Sequence, residues 1–313
     1  MSLKLFEEFP PVSTGRWEEA IRKDLKGADY ARKLIWQTDE GIAVKPYYRA
    51  EDAAGLEYLE APPGAFPYTR GSRASNEWRV RESVQAPDAE QARAQALEAL
   101  ASGAGEIEFV LGPRGFEPRD APQIAALIEG LGCPVHFAAG ERAAEVLPLL
   151  AEALPGEVSG SLDYDPLAGG GATGAAAVRA VLDRAPAFRP LAVRAYRFHD
   201  AGGSAVQELG YALAAGVEYM AELTDAGMPA EQAATALAFS FASGSSFFFE
   251  IAKLRAARML WARALEGFGV LNSAAKPMIH SRGSLWNKTV YDPWVNALRG
   301  ATEAMSAAMG GCD

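Results

Sequence analysis

The residue that stands out as a candidate for chemistry is His199, one of only three histidines in the chain, in the stretch AYRFHDAGGSAVQELGYALAAGVEYM at residues 195–220. It comes where an apolar strand pattern gives way to a glycine-containing loop. A histidine after a strand end is typical of a general acid or base. The helix that follows has an apolar face made of Val206, Leu209, Leu213, Val217 and Met220. This stretch predicts an active-site position, with His199 either a catalytic group or the remnant of one.

The composition narrows the class of protein. The chain is 49% hydrophobic and 22% charged, and its net charge of −10 leaves no basic footprint for nucleic acid. No apolar run is long enough to span a membrane, and the N-terminus MSLKLFEEFPP lacks the apolar core of a signal peptide. Cys133 and Cys312 form no CxxC pair, which favours a reducing compartment. These features predict a cytoplasmic protein without a nucleic-acid or membrane partner.

From Trp78 onward, strand and helix patterns alternate seven times. The strand patterns are WRVRESV, EIEFVLG, CPVHFAAG, VSGSLDYDPLA, LAVRAYRF, ATALAFSFA and PMIHSRG. Such alternation implies parallel strands with crossover helices, and seven units in about 240 residues favour a (β/α)8 TIM-type barrel. The last helix ends at GGCD, residues 310–313, where an eighth strand should begin. The sequence therefore predicts an α/β barrel that lacks its last strand, either because the chain is shortened or because another element closes the gap.

Residues 1–75 are predicted to form an extended N-terminal arm, and residues 76–313 the barrel with strands one to seven. The arm begins with a helix capped by Ser13 or Thr14 and continues through proline-, glycine- and aromatic-rich stretches without a sustained period. Its aromatic side chains must be buried either on the barrel or on a partner subunit. They are Phe6, Phe9, Trp17, Trp36, Tyr47, Tyr48, Phe66 and Tyr68.

Two further patterns resemble binding motifs. Gly169, Gly171 and Gly174 in GGGATG fit G-x-G-x-x-G between a strand and a helix, but the next strand ends without the acid that a dinucleotide site needs. The histidines His136, His199 and His280 fall on predicted strands three, five and seven, yet no acid recurs beside all three. We expect a barrel loop at the glycines and no metal site.

Several blocks resemble the methylmalonyl-CoA mutase family, in the same order along the chain. They are PYYRAED (46–52), FPYTRG (66–71), NEWRVRE (76–82), DAGGSAVQELGYALAAGVEY (200–219), FFFEIAKLRAARMLW (247–261) and LWNKTVYDPWVNALRGATEAMSAAMGG (285–311). The resemblance implies an adenosylcobalamin-dependent enzyme with an N-terminal arm, a barrel that threads an acyl-CoA, and a C-terminal cobalamin domain. That domain is expected to be absent here, because no histidine follows the D-x-H-x-x-G pattern that ligates cobalamin.

The resemblance also implies a degenerate substrate pocket. Where catalytic subunits carry a tyrosine after FxRG, RGSRASNEW has none. Asp163 stands at the position of a strand-four glutamine, and Thr173 near that of a substrate-binding arginine. In the strand-five pattern G-Y-H-M-Q-E-A-G, Tyr196 matches the tyrosine, Arg197 replaces the histidine that polarises the thioester carbonyl, and His199 replaces the glutamine. Loss of one such donor lowers a rate about 10²–10³-fold, so no catalytic residue is expected in this chain.

The first hypothesis is therefore a non-catalytic small subunit that pairs with a catalytic large subunit as a heterodimer. The complex would isomerise methylmalonyl-CoA and succinyl-CoA with adenosylcobalamin, while this chain alone would be inactive and bind no cofactor. The alternative is a divergent acyl-CoA mutase in which Arg197, Arg282 and Asp163 line an altered pocket. A third, weaker option is a barrel that binds phosphate or nucleotide at GGGATG.

Overall fold

The fold is taken from a computed structural model that describes residues 9–56, 59, 61–75, 77–169, 171–271 and 276–313. Phe6, one of the aromatic residues of the predicted arm, lies outside these ranges. The chain divides into two compact units, the first ending at Leu56 and the second comprising the rest. The sequence had suggested a boundary near residue 75. Residues 61–75 instead belong to the larger unit, where the Tyr68 side chain is buried.

The first unit contains two short helices and a small hairpin. Helix α1 spans Thr14–Asp24 and α2 spans Tyr30–Leu34, while β1 (Trp36–Gln37) pairs antiparallel with β2 (Ala43–Val44) before a 3-10 turn at Ala50–Ala53. Ser13, rather than Thr14, caps α1 by accepting the Arg16 N–H. Within this unit the Trp17 and Tyr47 rings are in contact, with 5.5 Å between their centroids. Trp17 and Trp36 remain exposed.

The second unit contains the seven strand positions that the sequence predicted. They are β3 (Arg81–Val84), β4 (Glu106–Val110), β5 (Val135–Ala138), β6 (Gly160–Leu162), β7 with β8 (Phe188–Arg189 and Leu191–Val193), β9 (Leu237–Ser243) and β10 (Met278–Gly283). Every neighbouring pair in this series is parallel. Parallel pairing follows from the helix that separates each strand from the next.

The helices of the second unit connect these strands. They are α3 (Ala89–Ala101), α4 (Ala121–Ile128), α5 (Ala143–Ala153), α6 (Pro166–Gly169), α7 (Ala175–Arg184), α8 (Tyr196–Asp200), α9 (Ala205–Asp225), α10 (Ala230–Thr235), α11 (Phe247–Glu266) and α12 (Pro293–Gly310), with a 3-10 turn at Gly140–Arg142. Asp88, Asp120 and Ser204 each accept a backbone N–H at a helix start, as N-cap residues do. Among the described residues, no helix combines the length and apolar character needed to cross a bilayer.

The prediction of a TIM-type barrel is confirmed only as an α/β fold with parallel strands, because the described strands do not close. They form a five-stranded sheet, β3-β4-β5-β6-β7, and a three-stranded sheet, β10-β9-β8. Only Pro190 separates β7 from β8, so the two sheets share the fifth strand position. Proline has no N–H to donate, which explains the break. Among the described strands, β3 and β10 are each left with one unpaired edge.

Asp313 lies between these two edges. Its N–H donates to the Ile279 carbonyl of β10 at 2.9 Å, and its carbonyl accepts from the Arg79 N–H, just before β3, at 3.0 Å. Its carboxylate also accepts the Ile279 N–H at 2.8 Å and the Ser72 hydroxyl at 3.0 Å. A single residue thus bridges the gap where the sequence analysis expected an eighth strand to begin.

Helix α9 buries part of the predicted face, because Met220 is buried and Leu209 and Leu213 pack partly buried against the core. Val206 and Val217 are exposed, whereas Ala212, Gly216, Tyr219 and Leu223 are buried together with Met220. The cause is a close approach to the sheet. A Cβ at Gly216 would lie 2.8 Å from the Trp261 ring and 3.0 Å from the Phe239 ring. Small residues therefore face the core, and the larger valines point outward.

Candidate functional site

A cavity of about 430 Å³ lies between the strands of the second unit, and polar side chains dominate its lining. In a typical parallel barrel, branched apolar side chains fill this space in layers. Here every strand position except the third contributes a charged or hydroxyl-bearing side chain, and the fourth contributes both Ser161 and Asp163. The ionisable members of the lining are Arg81, Glu108, Arg114, Asp163, Arg194, Tyr196, His280 and Arg282.

An ion-paired layer crosses the first three strands. Arg81 Nη2 lies 3.2 Å from Glu106 Oε2, and His136 Nε2 lies 3.0 Å from the same oxygen. His136 Nδ1 shares a hydrogen bond with Ser161 Oγ at 2.8 Å. Burial lowers the pKa of His136 and of Arg81. Burial alone would raise the pKa of Glu106, but the His136 imidazole and the Arg81 guanidinium outweigh it and hold that pKa below its usual value.

His280 occupies the opposite side of the same interior. Its Nδ1 shares a hydrogen bond with Ser240 Oγ at 2.9 Å. Burial, with the charge of Arg81 added to it, lowers the pKa of His280 well below its ordinary value. His136 and His280 therefore serve as buried, hydrogen-bonded groups of the interior, each with a serine partner on the preceding or following strand.

Asp163 lies on the cavity wall beside Arg194. One Asp163 oxygen accepts the Ala139 N–H at 2.7 Å, and the other lies 3.9 Å from Arg194 Nη1. Arg194 also approaches Asp165, with Nε 3.7 Å from the carboxylate. Burial raises the pKa of Asp163 to about 6, against the opposing effects of the backbone donor and of Arg194. The folded protein therefore holds a proton on Asp163 more readily than the unfolded chain does.

This shift makes the effect of Asp163→Asn depend on pH. The wild-type group favours folding below its unfolded pKa of 3.8, and that contribution is lost as the pH rises through about 6. An amide cannot ionise, and it can still accept the Ala139 N–H. We compare the free energy of unfolding of Asp163→Asn with that of wild type. The difference, variant minus wild type, should rise by about 1–3 kcal/mol when the pH is raised from 4.5 to 7.5. Urea unfolding of both proteins at the two pH values measures this change. If the variant and wild type differ in free energy of unfolding by the same amount at both pH values, the prediction is wrong.

Tyr196 and Arg282 meet at the mouth of the cavity. The Arg282 guanidinium lies over the Tyr196 ring, 4.4 Å from its centroid, which is within cation–π distance. Asp163, Tyr196 and Arg282 are therefore three of the sequence-derived pocket positions that the structure brings to one cavity.

Thr173 and Arg197 lie elsewhere. Arg197 is exposed on α8 and does not line the cavity. Thr173 is buried before α7, where its N–H donates to Glu222 Oε2 at 3.1 Å. The Glu222 carboxylate thus occupies the N-terminal side of α7, where a phosphate bound by GGGATG would have to sit. This placement argues against the nucleotide option.

His199 belongs to a buried charged cluster on the outer side of β9. Its Nε2 shares a hydrogen bond with Ser284 Oγ at 2.9 Å, and its Nδ1 lies 3.7 Å from Glu208 Oε2. Lys253 Nζ contacts Glu208 at 2.5 Å and Glu250 at 2.6 Å. Burial and the nearby Lys253 charge lower the pKa of His199, and burial raises the pKa of Glu208 to about 7. The strand predicted through residue 198 ends at Val193, because Asp165 accepts the Arg194 N–H at 2.9 Å, and His199 lies on helix α8.

The ion-paired layer was missed at the sequence level. The pattern WRVRESV predicts a strand in which Val80 alternates with charged neighbours, and it assigns no partner to those charges. In the structure Val80 is exposed, and Arg81 points inward to Glu106. The available signal was the recurrence of charge at alternating strand positions, as in Glu106 and Glu108 of EIEFV.

Comparison with known proteins identifies the family. The family model for methylmalonyl-CoA mutase matches residues 37–124 and 173–313. The chain belongs to the methylmalonyl-CoA mutase family. The unmatched stretch, 125–172, contains part of the ion-paired layer and Asp163.

Among the curated mutase relatives, proteins named small subunits are prominent. The chain is 40% identical over 99% of its length to the methylmalonyl-CoA mutase small subunit of Porphyromonas gingivalis, of which it covers 53%. It is 34% identical to the small subunit of Streptomyces virginiae, over 99% of this chain and 54% of that protein. The large subunit of Streptomyces virginiae is 29% identical over 96% of this chain and 47% of its own length. The chain spans about half the length of these relatives.

The residues present do not fit a histidine-ligated cobalamin. None of the three histidines follows an aspartate at the spacing of D-x-H-x-x-G. Each imidazole also shares a hydrogen bond with a serine: His136 with Ser161, His199 with Ser284 and His280 with Ser240. Freeing any of them would leave a buried hydroxyl without its partner.

Proposed function

We propose that this chain is a non-catalytic, structural small-subunit component of an adenosylcobalamin-dependent methylmalonyl-CoA mutase, which interconverts methylmalonyl-CoA and succinyl-CoA. The observation that carries the proposal is the ion-paired layer of Arg81, Glu106 and His136 across the first three strand positions of the second unit. A catalytic member of the family must admit an acyl-CoA to this interior, and here charged side chains occupy it.

Displacing this layer is energetically costly. The Glu106 and His136 side chains are almost completely buried, and the Arg81 side chain is 9% exposed. Separating one partner leaves an uncompensated buried charge, which costs about 3–5 kcal/mol. The uncharged arm of an acyl-CoA offers no counter-charge in return. Binding along this path is therefore disfavoured relative to a channel lined by small neutral groups.

The reacting end of the cavity also lacks the donor that the chemistry requires. Arg197, which stands at the position of the carbonyl-polarising histidine, is exposed and lies outside the cavity lining. A donor must lie within hydrogen-bond distance of the developing oxyanion to stabilise it. Asp163, with a pKa of about 6, is largely ionised at neutral pH and would repel a substrate carboxylate.

Under this proposal a catalytic large subunit, as the partner, binds the cofactor and carries out the reaction. We infer that this partner supplies the cobalamin-ligating histidine and the substrate donors, and that the two chains form a heterodimer. We infer a cytoplasmic location as well, because both cysteines are free thiols, as is usual in a reducing compartment.

Size-exclusion chromatography of this chain mixed with its cognate large subunit tests the proposal. At micromolar concentration we expect one peak at the heterodimer mass, as in stable complexes that bury a standard interface. The chain alone, given adenosylcobalamin and methylmalonyl-CoA, should show no turnover. Separate elution of the two chains would count against the structural role, and turnover by this chain alone would count against the non-catalytic one.

The divergent-enzyme alternative has one observation in its favour. The cavity persists at about 430 Å³, and it is lined by Arg282 and by Arg194, whose buried Nε has no hydrogen-bond partner among the described residues. Such donors suit a carboxylate ligand. Calorimetric titration with methylmalonyl-CoA separates the two functions, since saturable binding that Arg282→Gln abolishes would favour the enzyme.

A further inference from the structure

A second recess, of about 190 Å³, lies where the loop at residues 70–75 meets α11 and the C-terminal end of α12. It shares no lining residue with the central cavity. Its walls come from the RGSRAS stretch, from Arg255 of α11, from Met309 of α12 and from the two residues that follow Gly310. The proposed subunit role makes no use of this recess.

The lining is cationic. Arg70, Arg73 and Arg255 all line it with Ser72 and Ser75, and none of its described lining residues carries a carboxylate side chain. Arg73 lies 3.7 Å from the neighbouring Asp313 carboxylate. None of the ion pairs among the described residues includes Arg70 or Arg255. A bound anion would supply the counter-charge that Arg70 and Arg255 do not find in those ion pairs.

A buried guanidinium holds the framework of the recess in place. Arg258 donates to the carbonyls of Tyr68 and Gly311 at 3.0 Å each, and also to that of Gly310. It thereby ties the start of the loop to the end of α12. The backbones meet closely, since a Cβ at Gly311 (φ +85°) would lie 3.2 Å from the Gly71 Cα. The arginine stems therefore project from a fixed base, which reduces the ordering cost of binding a ligand.

We propose that this recess binds the phosphate group of a small-molecule ligand. A guanidinium pairs with phosphate through two parallel N–H···O bonds, and a phosphate offers enough oxygens to meet several guanidiniums at once. A carboxylate has only two oxygens and would leave one arginine unmatched. The volume admits one phosphate group, so the rest of the ligand would extend into solvent beside Ser75 and Arg70.

Isothermal titration calorimetry with inorganic phosphate and with pyrophosphate, at constant ionic strength, tests the proposal on the 313-residue chain. We expect saturable 1:1 binding. Arg70→Gln and Arg255→Gln should each weaken it about tenfold or more, since each removes a charge-assisted pair. Arg263→Gln is the matched control on the same helix α11, where Arg263 pairs with Glu266. It should bind as wild type does. Urea midpoints check that each variant is folded.

Four results would overturn the proposal. The first is the absence of saturable phosphate binding below about 10 mM. The second is equal affinity in wild type, Arg70→Gln and Arg255→Gln. The third is loss of binding on Arg282→Gln alone, which would place the anion in the central cavity. Capture of a poly-glutamate peptide that phosphate does not displace would assign the recess to an acidic protein partner and would likewise overturn it.

Discussion

Lys253→Met is expected to lower the free energy of unfolding by about 3–5 kcal/mol, the cost of leaving buried charge without its partner. Lys253 Nζ contacts Glu208 at 2.5 Å and Glu250 at 2.6 Å, and it donates to the Ala242 carbonyl at 2.8 Å. All three charged side chains are buried. Methionine keeps the volume of the stem but removes the only cation that faces both carboxylates within the described part of this cluster.

The loss of stability in Lys253→Met should be larger at high pH than at low pH. The folded pKa of Glu208 is already raised to about 7, so this group favours folding at low pH and loses that contribution as the pH rises from 4.5 through about 7. Without Lys253 the carboxylate is still harder to ionise. The destabilisation should therefore be smaller at pH 5, where Glu208 can take a proton, than at pH 8. Urea unfolding at both pH values measures the difference.

Two further variants separate charge from packing. Glu208→Gln combined with Lys253→Met removes one charge of each sign, so part of the lost stability should return if the cost is electrostatic. Arg263→Gln removes a guanidinium from an exposed pair on the same helix and should change stability by less than about 0.5 kcal/mol. A loss below about 1 kcal/mol in Lys253→Met would show that the cluster is not a major stabilising element.

This cluster also explains the role of His199. The imidazole shares a hydrogen bond with Ser284 through Nε2, packs 3.0 Å from where a Cβ of Gly244 would lie, and faces Glu208 through Nδ1. These contacts join α8 to α9, to the end of β9 and to the segment after β10. A histidine whose position in the sequence marks it as a catalytic candidate is thus packed and hydrogen-bonded between these elements.

The order of elements could be predicted because it depends on local patterns. Asp88, Asp120 and Ser204 cap three of the crossover helices, and a helix pattern separates each strand pattern from the next, so the seven strand positions could be predicted from alternation. The direction of the polar side chains could not, because it depends on partners far away in sequence. Arg81 faces inward because Glu106 receives it, and Glu106 is buried because His136 also contacts it. A single strand pattern contains none of these contacts.

Closure of the barrel was beyond local reasoning for a similar reason. The number of units in the barrel class predicts that this chain lacks its last strand, but it does not show what lies between the two edges. The structure provides one residue, Asp313, that contacts both edges, and Pro190 interrupts the fifth position. Periodicity indicates a strand, but only the assembled sheet shows which strands have neighbours on both sides.

Turnover of the assembled mutase is expected to be insensitive to this chain's pocket residues. In the heterodimer, Arg282→Gln and Tyr196→Phe should each leave kcat within about twofold of wild type, because the proposed function assigns no transition-state contact to either. Replacing the large-subunit histidine that corresponds in position to Arg197 should lower kcat by about 10²–10³, the effect of removing one oxyanion donor. Steady-state assays on the complexes compare the two chains directly.

The substitution Arg197→His in this chain tests the same prediction. Arg197→His would restore the family's residue type, but position 197 is exposed and outside the cavity lining, while Arg81, Glu106 and His136 still occupy the interior. We therefore expect no turnover from this chain with that substitution. If Arg282→Gln instead lowers kcat tenfold or more while size exclusion shows an intact heterodimer, the cavity of this chain takes part in the reaction. Because complex formation and turnover are measured separately, failure of docking cannot be mistaken for loss of chemistry.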